Sequence, residues 1–199
     1  MNLRSICHKD KEKTDIYATN DDFRQLFRDN EPSLYLLSYL LTNDSDKAQA
    51  CFVSGLEDCM DGNSVFAEWA GSWARRTIVQ NAIRVMAPAS DKADEANLSG
   101  VSNFVVDHAL LAQDVRAFAG VLSLKTFERF VYVLSVLERY SDQECSRMLG
   151  TLVSEIRQTR ARGLQEVADY NEKHSIGEDA TEVLSSHSCA ELATARRSQ

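Results

Sequence analysis

The sequence predicts an all-α protein built as two small helical modules joined by a linker. Three observations carry that expectation. Eight glycines and two prolines in 199 residues are too few for a β-rich or loop-rich chain. Apolar residues make up 44 %, enough for packed cores, and they recur at helical i, i+3, i+4 spacing along the chain. Residues 87–106, APASDKADEANLSGVSNFVV, are small and polar, as a linker between modules is.

Residues 1–15 are polar and charged and read as a flexible tail. The first module is expected over 16–86. Thr19, Asn20 or Asp21 suits a helix start, and Phe23, Leu26 and Phe27 give its apolar stripe. Pro32 suits the first turn of a second helix. Its run SLYLLSYLL is apolar nearly all round, which marks the buried centre of a bundle. The turn TNDSD at 42–46 caps a third helix, with Ala48, Cys51, Phe52, Leu56 and Cys59 or Met60 facing inward. A break at DGN, 61–63, precedes a fourth helix from about Ser64 to Met86. Phe66, Trp69, Trp73, Ile78 and Ile83 are its expected core contacts.

The second module is expected over 107–170. Leu110, Leu111, Val115 and Phe118 form one stripe, and Phe127, Phe130, Val131, Leu134 and Leu137 form another. The stretch LERYSDQECSRMLGTLVSEIRQTRARGL, 137–164, then reads as a helix-turn-helix. Ser141 and Glu144 make an S-x-x-E capping box, in which hydroxyl and carboxylate each take a free amide. Cys145, Met148 and Leu149 point inward, and Gly150 suits the left-handed residue that ends a helix. Ile156, Leu164 and Val167 are the expected buried face of the last helix. Residues 171–199 read as a polar C-terminal tail in which VLSSHSCAELATARR has short-helix character.

The chemistry-bearing patterns narrow the function. The chain has no phosphate-cradling glycine loop, no H-E-x-x-H and no Cys/His set at metal spacing. His187 and Cys189 in SHSC supply only two candidate ligands, and His108 and His174 have no partner at informative spacing. No carboxylates pair as a general acid and base. A non-enzyme without metal or cofactor is the expectation. The five cysteines include no C-x-x-C, no secretory h-region leads the chain, and no run is long and apolar enough to span a membrane. A cytoplasmic protein with free thiols and no membrane partner follows.

The recognition-type feature is the last helix. Residues 153–165 carry Arg157, Arg160 and Arg162 against Glu155 alone. In a helix-turn-helix the second helix enters the major groove, and the arginine fork reaches guanine edges or phosphates. The formal charge of −8 works against that on a free-standing protein, because duplex affinity comes largely from neutralised phosphates. A stand-alone DNA regulator is therefore disfavoured.

The run from Leu124 to Leu164, LKTFERFVYVLSVLERYSDQECSRMLGTLVSEIRQTRARGL, resembles region 4 of sigma-70 family RNA polymerase sigma factors, closest to the extracytoplasmic-function group. The shared positions include Leu124, Glu128, Arg129, Val131, Leu134, Leu137, Glu138, Tyr140, Ser141, Glu144, Leu149, Gly150, Ile156 and Arg162. The stretches LYLLSYLLTNDSDKAQ and EWAGSWARRTIVQNAIR are similar to region 2 of the same family, the second through Trp69, Ala74, Arg75 and Arg84. The resemblance spans about 16–170 in the family's order. It implies a promoter-recognition subunit bound to core RNA polymerase, with region 2 at the −10 element and region 4 at the −35 element of promoter DNA. On that basis Arg157, Arg160 and Arg162 would contact the −35 element, and Arg75, Arg76 and Arg84 would lie near the −10 strand. An anti-sigma factor is a further implied partner.

The sequence departs from the family at definite places. Ala50, Val53 and Ser54 replace polar residues of the polymerase-binding helix, Thr159 stands at an arginine position, and Leu152 at a capping serine. Residues 16–86 hold six basic and ten acidic side chains, a poor balance for holding single strands. These departures motivate an alternative: a sigma-like helical interaction protein, binding another regulator without autonomous promoter recognition.

Overall fold

The computed structural model describes residues 16–62, 64–89 and 116–194, with side chains as far as His174. All regular secondary structure among them is helical, apart from one isolated bridge between Tyr17 and Phe66. The chain is thus all-α. The linker positions 90–106, the stripe at Leu110, Leu111 and Val115, and the 1–15 segment lie outside the described residues.

Local sequence chemistry starts the first three helices. Helix α1 (Asn20–Asp29) is opened by Thr19, whose hydroxyl accepts from the Asp22 amide while the Asp22 carboxylate takes the Thr19 amide. Helix α2 (Glu31–Thr42) carries Pro32 in its first turn and ends on Asn43, which adopts φ 53° and donates its N–H to the Tyr39 carbonyl. Helix α3 (Ser45–Asp61) is capped by the Asp44 carboxylate, which accepts from the amides of Asp46 and Lys47. A 3₁₀ turn (Ala67–Trp69) leads into α4 (Ala70–Met86).

Phe23 and Phe27 of α1, Leu34, Leu37, Leu40 and Leu41 of α2, and Cys51 and Cys59 of α3 meet Ala74, Ile78, Val79 and Ala82 of α4 in the core. Gly55 permits the close approach of α3 to α4: a Cβ there would fall 2.8 Å from Ile78 Cγ1. Two polar side chains sealed between these helices, Thr77 and Asn81, are bonded, while Ser45 Oγ and Trp73 Nε1 are buried without a hydrogen-bond partner among the described residues. Thr77 donates to the Gly55 and Ala74 carbonyls, and Asn81 reaches the Asp58 carboxylate at 2.8 Å.

The start of α4 differs from expectation. Phe66 and Trp69 are not core contacts; Trp69 is 56 % exposed. The helix begins six residues later than the expected Ser64, so helical phase does not extend back through positions 66 and 69. Phe66 instead sits in an extended segment tied to the strand-like residues 16–18 by Ala18 N–H to Val65 and Ala67 N–H to Ile16. Its ring stacks on Tyr17 at 4.9 Å and meets Trp69 edge-on at 5.1 Å. Trp73, one turn further on, is half-buried as an edge contact of the core.

Past the undescribed stretch come α5 (Ala119–Leu122), α6 (Thr126–Tyr132), α7 (Asp142–Leu149) and α8 (Val153–Thr194). Helix α6 runs on into one π-helical turn, Val133–Leu137, closed by Glu138 N–H to the Val133 carbonyl. Phe127, Phe130, Val131, Val133 and Leu134 are buried, while Leu137 at the end of the π turn is only half-buried.

In α8 the buried face is Ile156, Thr159, Gly163 and Val167, at spacings of three and four residues. The expected core residue Leu164 lies outside that arc and is exposed. Gly163 faces the bundle in its place, where a Cβ would come 3.5 Å from the Tyr132 ring. Helix α8 also continues through the segment expected as a polar tail, to Thr194. The buried side chains before and after the undescribed stretch join in one hydrophobic cluster, and α6 packs on α2.

Candidate nucleic-acid interface

The helix-turn-helix candidate is α7, its turn and α8. Ser141 Oγ accepts from the Glu144 amide at 3.3 Å, and Glu144 accepts from the Ser141 amide at 2.9 Å, closing the expected capping box. The Ser141 bonds hold the Glu144 carboxyl below its ordinary value. Cys145 is fully buried, and burial with acidic neighbours pushes its thiol up to about 11, so it stays protonated at neutral pH. Cys51 and Cys59 are likewise free and buried, which fits small hydrophobes rather than reactive thiols.

Gly150 ends α7 at φ 65°, with its N–H on the Ser146 carbonyl. The turn is held by Ser146 Oγ on the Thr151 carbonyl at 2.5 Å and by the Thr151 hydroxyl on the Glu155 carboxylate. Leu152 is 71 % exposed and offers no capping oxygen, so Thr151 and Glu155 brace the start of α8 instead.

The arginines of α8 are already engaged. Arg157 Nε donates to Asp142 Oδ2 at 2.8 Å, and Arg160 Nη1 donates to Asp142 Oδ1 at 2.5 Å. One carboxylate in the first turn of α7 thus bridges two arginines of α8, and the Arg157 bond leads in holding the Asp142 carboxyl below its ordinary value. Arg162 lies 3.7 Å from the Glu128 carboxylate and donates to Thr159 Oγ1 at 3.3 Å. Thr159 itself is 1 % exposed, so a residue at this position packs inward and does not reach a groove.

The α4 arginines divide. Arg75 Nε and Nη2 grip both oxygens of Glu138, at 2.7 and 2.5 Å, while Nη1 donates to Ser33 at 3.0 Å. The Glu138 hydrogen bond raises the Arg75 pKa further. Half-buried Arg76 belongs to the same locality, since its charge acts on Tyr140 and Glu144 at the start of α7. Arg84, more than two turns beyond, bonds Asn81 at 2.7 Å and lies 3.9 Å from Asp58 on the exposed side. So Arg157 and Arg160 form one group with Asp142, Arg75 and Arg76 form another at the junction of α4 with the 138–144 segment, and Arg84 stands apart.

No protein-family model matches the chain, and no curated protein matches it.

Four carboxylates pair with the candidate arginines without having been expected as partners: Asp142, Glu138, Glu128 and Asp58. Asp142 was visible as an acidic residue in a first helical turn, where it complements the helix dipole. Its separation of 15 and 18 residues from the arginines carries no periodic signal. Glu138 and Arg75 are 63 residues apart, and nothing in either neighbourhood announces the pair. Among the described residues no His/Cys/Asp/Glu group of metal-binding size occurs, and no helix is long and apolar enough to cross a membrane.

Proposed function

We propose that the chain is a divergent sigma factor of the extracytoplasmic-function type, which binds core RNA polymerase and directs promoter-specific initiation through the α7–α8 helix-turn-helix. The observation that carries the reading is the local build of that unit. A capping box opens α7, a left-handed glycine closes it, and α8 carries Arg157, Arg160 and Arg162 with their side chains part or mostly exposed. The division into a region 2-like module over 16–86 and a region 4-like module over 107–170 belongs to the same reading, as do the cytoplasmic setting and an anti-sigma partner. Polymerase would supply the nonspecific DNA affinity that an acidic chain lacks.

A second reading is favoured by one feature of the geometry: Arg75, Arg157 and Arg160 each hold a carboxylate of this chain. On that reading the protein is a sigma-like interaction module that binds a regulator and does not read promoters by itself. Gel filtration of the purified chain with core polymerase, followed by run-off transcription on a promoter library, separates the two. A stable complex with new transcripts supports the sigma factor, a complex without transcripts supports the interaction module, and no complex removes the first reading.

A further inference from the structure

The place where α4 meets the end of the π turn is built in an unusual way. A π-helical turn (Val133–Leu137) carries the chain to Glu138, and Arg139 follows in the left-handed region at φ 59°. Such a turn and such a φ are both uncommon for a non-glycine chain and are retained where the surrounding structure demands them. Together they set the Glu138 carboxylate on Arg75 with both oxygens bonded, the fork-to-fork arrangement that a guanidinium also makes with a phosphate. Glu138 is nearly buried there, its side chain 10 % exposed. A cleft of about 420 Å³ lined by Ser72, Arg75, Leu137, Glu138 and Tyr140 opens beside the pair. Arg76 adds a second positive charge toward Tyr140 and Glu144.

The same seam contains a charge that works against closure. Arg129 of α6 is 4 % exposed. Its guanidinium donates to the Leu124 carbonyl at 3.0 Å and, across the seam, to the Leu41 carbonyl of α2 at 3.5 Å. Its Nε has no hydrogen-bond partner among the described residues. Burial pulls its pKa down to about 10, which still leaves it charged at neutral pH. A buried cation whose partners among the described residues are carbonyls is costly, so the contact of α6 with α2 is weaker than its apolar area implies.

We propose that Glu138 and Arg75 form an intramolecular latch: the carboxylate stands where a nucleic-acid phosphate would bind, and Arg75 is released to a polyanion when the seam of α2 and α4 with the α6 end parts. The closed form is the one described above. Opening exchanges one anion for another on the same guanidinium, so it is favoured by a high local density of phosphate and needs no change within either helix. The proposal rests on Arg75 being a nucleic-acid contact, as the sigma reading has it.

The test uses the full chain without polymerase and a fluorescently labelled, random-sequence single-stranded DNA. Wild type is compared with Glu138→Gln, with Arg75→Ala/Glu138→Gln, and with Glu57→Gln, which removes one exposed carboxylate from α3. Glu138→Gln is expected to bind several-fold more tightly. Its log–log salt dependence should steepen by about 0.7, the value for one added phosphate contact on a single strand. The double variant should return to the wild-type slope, and Glu57→Gln should not steepen it. Amide exchange along α2 and α6 should accelerate in Glu138→Gln. A gain that survives removal of Arg75, or that Glu57→Gln matches, overturns the proposal. Faster exchange with unchanged DNA binding overturns the nucleic-acid role of Arg75, and unchanged exchange overturns the latch itself.

Discussion

Asp142 is the single residue whose loss should register most clearly in the helix-turn-helix. Replacing it with Asn keeps the shape and removes the charge that joins α7 to α8. Arg160 makes the shorter contact, 2.5 Å, and its side chain is 34 % exposed; Arg157 stands at 2.8 Å and is 65 % exposed. Exposed pairs contribute about 0.2–1 kcal/mol, so the Arg157 coupling belongs at the low end and the Arg160 coupling near the top. Loss of a first-turn carboxylate adds roughly 0.3–1 kcal/mol through the helix dipole. Asp142→Asn should therefore destabilise by about 1–2 kcal/mol in urea unfolding, seen as a lower midpoint with an unchanged slope.

Double-mutant cycles with Arg157→Ala and Arg160→Ala then divide the effect. The sign of the pH dependence is fixed by the lowered Asp142 pKa. The contribution is present above the unfolded carboxyl value and disappears as pH falls through the folded one. Wild type and variant should converge in acid. No coupling of Asp142 to either arginine, or a variant that differs from wild type equally at every pH, would refute the bridging geometry.

Three further outcomes follow from single sites. Arg129→Met should leave stability unchanged or raise it by up to about 2 kcal/mol, because no carboxylate among the described residues pairs with the buried cation; a loss above about 3 kcal/mol on thermal melting would mean a neutralised charge had been broken. Gly150→Ala should cost about 1 kcal/mol, since φ is 65° and nothing lies within 4 Å of the added methyl; an equal midpoint would show that the turn relaxes out of the left-handed region. Gly55→Ala should cost roughly 1–3 kcal/mol by forcing the Ile78 side chain back from 2.8 Å, and the Gly55→Ala/Ile78→Val pair should recover part of it in the same denaturation assay.

The parts of the fold that were legible in the sequence are those made by neighbours along the chain. The Ser141/Glu144 box, the Asp44 cap, Pro32 in a first turn and the Gly150 stop each involve groups within one helical turn. The stripe through Phe127, Phe130, Val131 and Leu134 also needs only helical geometry to face one way. Trp69 and Leu164 failed as core residues for one shared reason. Their helical phase depended on where α4 began and on which arc of α8 met α6, and neither is encoded by hydrophobicity alone. The arginines of the candidate site were identifiable by type and helix, but their carboxylate partners were not.

By itself, then, the sequence determined the all-helical class, the capped and glycine-closed α7, and the cluster of arginines on α8, because each rests on contacts spanning three or four residues. Tertiary structure alone decided that Arg157 and Arg160 share Asp142, that Arg75 is held by Glu138, and that Arg129 is buried. An ion pair exists only where two helices dock at the right depth and angle. The strength of that pair is set by how much water the docking removes, and no local window of sequence carries that information.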